Sequence, residues 1–475
     1  MTAIDCTHLI GGEALGQPSV LRMNPADPAD AVSRRAEGGP EQVDAALCAA
    51  ALAQPGWAAL TAPARGAILR RASQLLTERA EAVALDLCRE EGKTVAEARG
   101  EVSRAIDVLA YFGGEGWRLF GQVVPSVTPD TLLYTRREPL GVVACITPWN
   151  FPIAIPAWKI APALVAGNAV VFKPASLTPL TARHFVTALH DAGLPAGVLN
   201  LVYGGAAVGD ALTSDGRVAG ISFTGSTAVG VHIHGIASER RARVQLEMGG
   251  KNPLVVLDDA DPAVAASIAA IGGFGLTGQA CTATSRVICT PGIYGRLVDA
   301  LVAQAARYQP GDGRTTGVLM GPAVSEDQLA RDRTAVEQAG RDGARAVTGG
   351  RPIDGLFFEP TVVDGVQREQ ALWREEVFGP VIAVLQARDP DHALELANDT
   401  AYGLSAGIVT NDLKQAARFA ERVQAGVVKV NRPTTGLDLS VPFGGVKDSS
   451  TNTFREQGYV ATEFFSTSKT VYLGW

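Results

Sequence analysis

Gly141-Val142-Val143-Ala144-Cys145-Ile146, running directly into Thr147-Pro148-Trp149-Asn150-Phe151-Pro152, decides the fold of this 475-residue chain. The first six residues are small or apolar, with no polar alternation. Such a run reads as a strand buried on both faces, the pattern of a parallel sheet covered by helices. Similar runs follow at 169–172, 198–202 and 219–223. The stretch between the first two of these later runs is predicted to be helical, starting near Ser176 or Thr178 and ending near Gly193-Leu194-Pro195. Strands spaced by helices predict β-α-β units and an α/β fold.

The same texture extends outward. Residues 40–120 read as helical, with apolar positions such as Ile68, Leu69, Ala72, Leu75 and Leu76 at three- and four-residue spacing. After Glu247 a second alternating region begins, with predicted strands at 253–257, 286–289, 381–385 and 426–430 and a helix over 263–273. The tail, at 462–466 and 470–472, is β-prone and suited to pairing with a second chain. A chain of this length exceeds the ~250–300 residues at which one core stops growing, so two or three domains are expected.

Composition excludes several classes. The chain is 47% hydrophobic and 19% charged, which is globular rather than disordered. A net charge of −7 with scattered Lys and Arg does not suit nucleic acid. No apolar run reaches the ~18 residues of a membrane span, and no leader pattern is read, so a cytoplasmic location is expected. The six cysteines include no C-x-x-C pair, which argues against both a disulfide framework and a zinc cluster. His232 and His234 are two apart, the wrong spacing for one helix face, and no metal is expected.

Three residues could carry chemistry. Cys281 ends Gly278-Gln279-Ala280-Cys281 and could act as a nucleophile once ionised. Asn150 could donate to a developing oxyanion together with the Cys281 backbone N–H. Glu247, in Leu246-Glu247-Met248-Gly249-Gly250, could be a general base toward water. Each alone reads more readily as an ordinary buried cysteine, a turn residue or a surface carboxylate at a strand end. Gly273-Phe274-Gly275-Leu276-Thr277-Gly278 matches G-x-G-x-x-G, but it follows a helical pattern and enters the Cys281 loop. It is therefore assigned to positioning the thiol, not to binding a dinucleotide.

Taken in order, seven motifs resemble the aldehyde dehydrogenase superfamily over nearly the whole chain. They are 147–152, Phe172-Lys173-Pro174-Ala175, Phe223-Thr224-Gly225-Ser226, 246–251, 278–281, Glu376-Val377-Phe378-Gly379-Pro380 and Pro442-Phe443-Gly444-Gly445. The resemblance implies oxidation of a small-molecule aldehyde to the acid, with NADP or NAD as cofactor. Cys281 would be the nucleophile, Glu247 the base and Asn150 the oxyanion donor. It implies a Rossmann-type cofactor domain (1–120 and 140–248), an α/β catalytic domain (249–445) and a small β oligomerisation extension (121–139 and 446–475), hence a homodimer or homotetramer. Ile146, Thr147, Pro148, Trp149, Lys173, Ser176, Gly205, Gly209, Phe223, Gly225, Ser226, Val229, Leu246, Glu376 and Phe378 would bind the cofactor. The helix after Gly225-Ser226 would meet the pyrophosphate.

Ser176 stands where many NAD-preferring members carry Glu. A hydroxyl beside Lys173 does not repel a 2′-phosphate, so NADP is expected to be accepted and NAD to remain usable. The segments 151–164 and 441–458 are similar to 2-oxoglutarate semialdehyde dehydrogenases. Departures at Arg432, Val446, 451–454 and Phe465 fall near the family's substrate entrance. Trp158 and Phe465 would line the aldehyde tunnel, and Arg432 is a candidate anchor for a substrate carboxylate. A succinate semialdehyde or broad-specificity enzyme is the alternative. A cofactor-free thioesterase would leave Glu376 without a role, and Glu247 favours water over CoA as acyl acceptor.

Overall fold

A computed structural model describes residues 3–475. Two seven-stranded sheets organise it. In the first, strands Arg243–Glu247, Val218–Thr224, Val142–Ile146, Ala169–Lys173 and Leu199–Leu201 lie side by side and parallel. An antiparallel hairpin, His8–Ile10 and Glu13–Leu15, completes the edge. All five residues of Val142–Ile146 are buried, as an unbroken apolar run at the centre of a covered sheet requires. The helix between the second and third sequence-read strands spans Pro179–Asp191, starts after Thr178 and ends before Gly193, whose φ of 95° only glycine adopts readily.

The second sheet orders Arg345–Thr348, Thr361–Asp364, Val381–Gln386, Thr284–Cys289, Asn252–Val256, Ser405–Val409 and Val427–Val430. Only its first strand is antiparallel. The segment read as helical over 40–120 forms four helices, Pro40–Ala59, Ala62–Glu78, Ala80–Glu91 and Val95–Glu115. The last is closed at its start by a reciprocal Thr94–Glu97 capping box.

Two features differ from the sequence reading. Residues 462–464, read as β-prone, belong to a short helix, Ala461–Phe464. Phe464 at its end and Phe465 just after it bury against the helical core instead of alternating between sheet faces. The strand that follows, Ser466–Gly474, pairs antiparallel with Thr131–Pro139 of its own chain. It lies at the edge of a three-stranded sheet, so its other side is unpaired. The strands Pro18–Asn24 and Asp27–Ala36 have no counterpart in the sequence reading. No single described helix is long and apolar enough to cross a membrane.

Candidate active site

A cleft of about 570 Å³ opens at the carboxyl ends of the first sheet's parallel strands, where ligands of open α/β sheets bind. Its wall includes Ile146–Asn150, Lys173, Gly205, Gly209, Phe223, Gly225, Ser226 and Val229 from the first sheet's loops, and Cys281, Glu376 and Phe378 from the second sheet's side. Of the residues expected at the cofactor, the structure thus brings all but two together. Leu246 is buried behind the wall. Ser176 is half-buried and donates to the Gly204 carbonyl at 3.3 Å.

The wall suits a dinucleotide. Ser226 precedes helix Thr227–Glu239 with no side-chain cap, so first-turn amides face the cleft and can bind an anion. The hydroxyls of Thr147 and Thr224 are buried at the cleft without partners, which a bound polar group would satisfy. Lys173 is half-buried, and burial, with the nearby Arg35 charge, pushes its ammonium down to about 8; an incoming phosphate would favour the charged form. Trp149 and Phe378 meet edge to face at 5.4 Å. Phe378 takes a left-handed φ of 64°. Glu376 accepts from the Gly250 N–H at 3.0 Å, and burial pushes its carboxyl up to about 7.

Cys281 sits on a loop held from several sides. Leu276 and Thr277 both have left-handed backbone (φ 54° and 57°), as does Gly278 (φ 67°). Such conformations cost free energy in non-glycine residues and persist only where the surroundings impose them. Here Glu97 accepts from Leu276 N–H at 2.7 Å, and Thr277 donates to the Gly321 carbonyl at 3.1 Å. Gln279 accepts from Val324 N–H at 2.9 Å. Asn252 donates to the carbonyls of Cys281 and Ala283 at 2.8 and 2.9 Å. The G-x-G-x-x-G run therefore belongs to the thiol's mounting. A Cβ at Gly278 would stand 2.1 Å from the Gly379 carbonyl oxygen. Gly278→Ala is expected to displace the loop and lower kcat at least ~100-fold with cofactor affinity within a few-fold of wild type. A variant with normal kcat would remove this assignment.

Burial, then the charges of Glu376 and Glu247, push the Cys281 thiol up, while its own backbone N–H opposes them. These effects favour the protonated thiol over the thiolate. Asn150 is buried, and its amide donates to the Gln279 carbonyl at 2.9 Å. That bond uses one of the amide's two N–H groups and leaves the other unengaged. The Asn150 carbonyl is itself held by Lys93 at 2.7 Å, and Lys93 pairs with Glu101 at 2.6 Å.

Glu247 does not line the cleft. Its carboxylate is buried and accepts from Gly445 N–H at 3.0 Å and Ser450 hydroxyl at 3.1 Å. Burial and the neighbouring Glu456 push it well above the ordinary carboxylate range. Glu456 in turn accepts from the Trp158 indole at 2.9 Å and pairs with buried Lys159. Trp158 lies 6.2 Å from the Phe443 ring. Phe465, expected in a tunnel, is instead 1% exposed in the helical core, T-stacked on Phe464. The aromatic that approaches Trp158 is Phe443. Arg432 is exposed on the loop after Val427–Val430.

Four polar wall residues were not expected at the cleft from the sequence. Gln328 and Arg331 lie on helix Glu326–Arg341, whose polar composition reads as a solvated surface helix. Asp210 and His232 pair at 2.9 Å across the mouth of the cleft. The three-residue spacing of Gln328 and Arg331, which puts both on one helix face, was the only hint.

Residues 16–471 match the Aldehyde dehydrogenase family. A 2,5-dioxopentanoate dehydrogenase of Saccharolobus solfataricus is 45% identical, over 96% of this chain and 96% of its own. An alpha-ketoglutarate semialdehyde dehydrogenase of Haloferax volcanii is 48% identical, over 94% of each. Among solved structures, a betaine aldehyde dehydrogenase of Staphylococcus aureus in complex with NAD+ is 33% identical with a TM-score of 0.95, covering 99% of this chain and 96% of that one. An NADP-dependent enzyme of E. coli is 36% identical at the same TM-score, covering 99% and 98%. With this fold and this cleft, the chain belongs to the aldehyde dehydrogenase family.

Proposed function

We propose that this aldehyde dehydrogenase oxidises a carboxylated semialdehyde, 2-oxoglutarate semialdehyde, to 2-oxoglutarate. The observation that carries this reading is full-length identity of 45–48% to relatives bearing that activity in their names. The Cys281 thiol releases its proton to solvent water as its sulfur adds to the aldehyde carbon, and the carbonyl oxygen becomes an alkoxide facing the free Asn150 N–H and the Cys281 backbone N–H. NADP or NAD, when bound, accepts the hydride that leaves this carbon. The thioester left on Cys281 is cleaved by a water that loses its proton to Glu247, and the acid departs as the thiol is restored. For this Glu247 must leave Gly445 and Ser450. A panel of 2-oxoglutarate semialdehyde, succinate semialdehyde and betaine aldehyde, followed by nicotinamide absorbance with both cofactors, tests the reading. A higher kcat/KM for betaine aldehyde than for either semialdehyde would overturn it.

Lys173 and Ser176 underlie acceptance of NADP. Ser176→Glu is expected to lower kcat/KM for NADP by ~10–100-fold, because its carboxylate would repel the 2′-phosphate, with NAD unchanged or improved. A wild-type preference for NAD of about a thousandfold or more would sink this assignment. The unpaired outer edge of Ser466–Gly474 supports assembly as a homodimer or homotetramer through strand addition; a monomer mass by light scattering would refute it. Six free cysteines fit a reducing, cytoplasmic setting, and an oxidised, disulfide-bonded form isolated from the producing cell would count against it.

A further inference from the structure

Arg104 differs from most other half-buried and buried arginines in making no bond to backbone or carboxylate; Arg455, also singly bonded, donates to the Gly445 carbonyl. Arg65 and Arg286 each donate to three backbone carbonyls. Arg22 donates to two, and Arg89 is held by Asp30 and Asp86. Arg104 is half-buried, yet its one hydrogen bond goes to the side-chain carbonyl of Gln457. The amide nitrogen of Gln457 is itself buried without a partner. A guanidinium carries five N–H donors in a fork that fits a carboxylate, so most of this capacity is unused.

Its place on the helix relates it to the catalytic loops, although it does not itself line the cleft. Glu97, Glu101 and Arg104 are spaced four and three residues apart on helix Val95–Glu115 and so share one face. Glu97 holds the Leu276 amide of the nucleophile loop. Glu101 holds the amides of Ile153 and Ala154, just after the oxyanion donor Asn150, at 3.0 and 3.1 Å. Arg104 is the next rung, ~4.5 Å further along the axis. Across from it, Gln457 follows Glu456, the partner of the Trp158 indole. The helix face thus carries in succession a support for the thiol, a support for the oxyanion loop and an under-used cation.

We propose that Arg104, set by Gln457, anchors the distal carboxylate of the substrate and thereby selects carboxylated aldehydes. This rests on the proposed semialdehyde activity. The four bonds between the aldehyde carbon and the carboxylate carbon of 2,5-dioxopentanoate span ~5 Å, so a cation one rung beyond the catalytic loops suits such a length. Asp107 and Asp438 lie near enough to act on Arg104 through their charges. Both are exposed and neither forms a salt bridge with it, so a substrate carboxylate can still compete for the fork. Arg432, the anchor expected from sequence, lies on an exposed loop instead.

The test compares wild type, Arg104→Met, Arg104→Lys and Arg432→Met on 2-oxoglutarate semialdehyde and on an uncharged aldehyde of similar length. Arg104→Met is expected to raise KM for the carboxylated substrate ~10–100-fold, the worth of a charge-assisted pair. Its kcat should stay within a few-fold and the uncharged aldehyde should be unaffected. Arg104→Lys should recover part of the loss, and Arg432→Met should change little. An equal loss on both substrates would make Arg104 structural, and an effect confined to Arg432→Met would move the anchor there; either overturns the proposal. A wild type that does not prefer the carboxylated aldehyde would instead sink the semialdehyde reading, independently of any variant.

Discussion

Cys281→Ala is expected to abolish aldehyde oxidation, by ~10⁴-fold or more in kcat, while cofactor affinity stays within a few-fold of wild type. The loss is large because no other cysteine lines the cleft to take over as nucleophile. The other five cysteines are elsewhere. Cys145, for example, is fully buried in the central strand, and burial pushes its thiol up to about 12. Affinity should survive because the cofactor wall is built mainly from 146–150, 223–229 and 376–378. The loop's course is fixed by its neighbours and not by the sulfur: Asn252 grips the Cys281 carbonyl, and Gly250 approaches so closely that a Cβ there would lie 2.6 Å from that oxygen. Steady-state turnover with titration of tryptophan fluorescence by NAD or NADP reads both halves. Turnover within about tenfold of wild type would show that the sulfur is not the nucleophile. A proportionate loss of cofactor affinity would show that the residue has a packing role instead.

How far such a site was legible depends on how its residues reach one another. Strand Val142–Ile146 is buried throughout and carries no polar residue, so its sequence announces itself. Strand Asp27–Ala36 has a mixed burial pattern and contains Pro28, Asp30, Arg34 and Arg35, so neither alternation nor an apolar run marks it. Within the site, Thr147–Asn150 and Gly225-Ser226 each follow a strand end directly, and the chemistry is local to one loop. Gln328, Arg331 and Gln457 arrive from a surface-like helix and an irregular loop, and only tertiary packing gives them a role. The same holds for the conformation of Glu247. Its identity could be read from Leu246-Glu247-Met248-Gly249-Gly250, but its engagement with Gly445 and Ser450, some two hundred residues later, could not. The assignment of Phe465 to the tunnel failed for a related reason: an aromatic beside a β-prone tail gives no sign of which layer it enters, and here it enters the helical core.

Glu247→Gln is expected to separate the two halves of the reaction. Addition to Cys281 and hydride loss do not need this carboxylate, so a first burst of reduced nicotinamide, near one equivalent per active site, should persist. Thioester hydrolysis does need a base, and steady-state kcat should fall ~10²–10⁴-fold. The pH dependence follows from the direction of the shift. Burial and Glu456 hold the Glu247 carboxyl above its ordinary range, so it is protonated over a window where an exposed glutamate would be ionised. Wild-type kcat should therefore climb as pH rises through that raised value, and the Gln variant should lose this limb. Stability has the opposite sign. A carboxyl whose folded-state value is raised favours the fold while it stays protonated. That contribution is lost as pH rises from the unfolded to the folded value, because ionisation then costs the folded state more than the unfolded one. Gln mimics the protonated form and can keep both Gly445 and Ser450 as partners, so the variant should unfold no more easily than wild type at neutral pH and hold up better above it. Rapid-mixing kinetics with thermal unfolding across pH measures all three effects. A variant with neither burst nor turnover would place Glu247 before hydride loss, as the base that ionises Cys281, whereas an unchanged pH limb would assign that titration to another group.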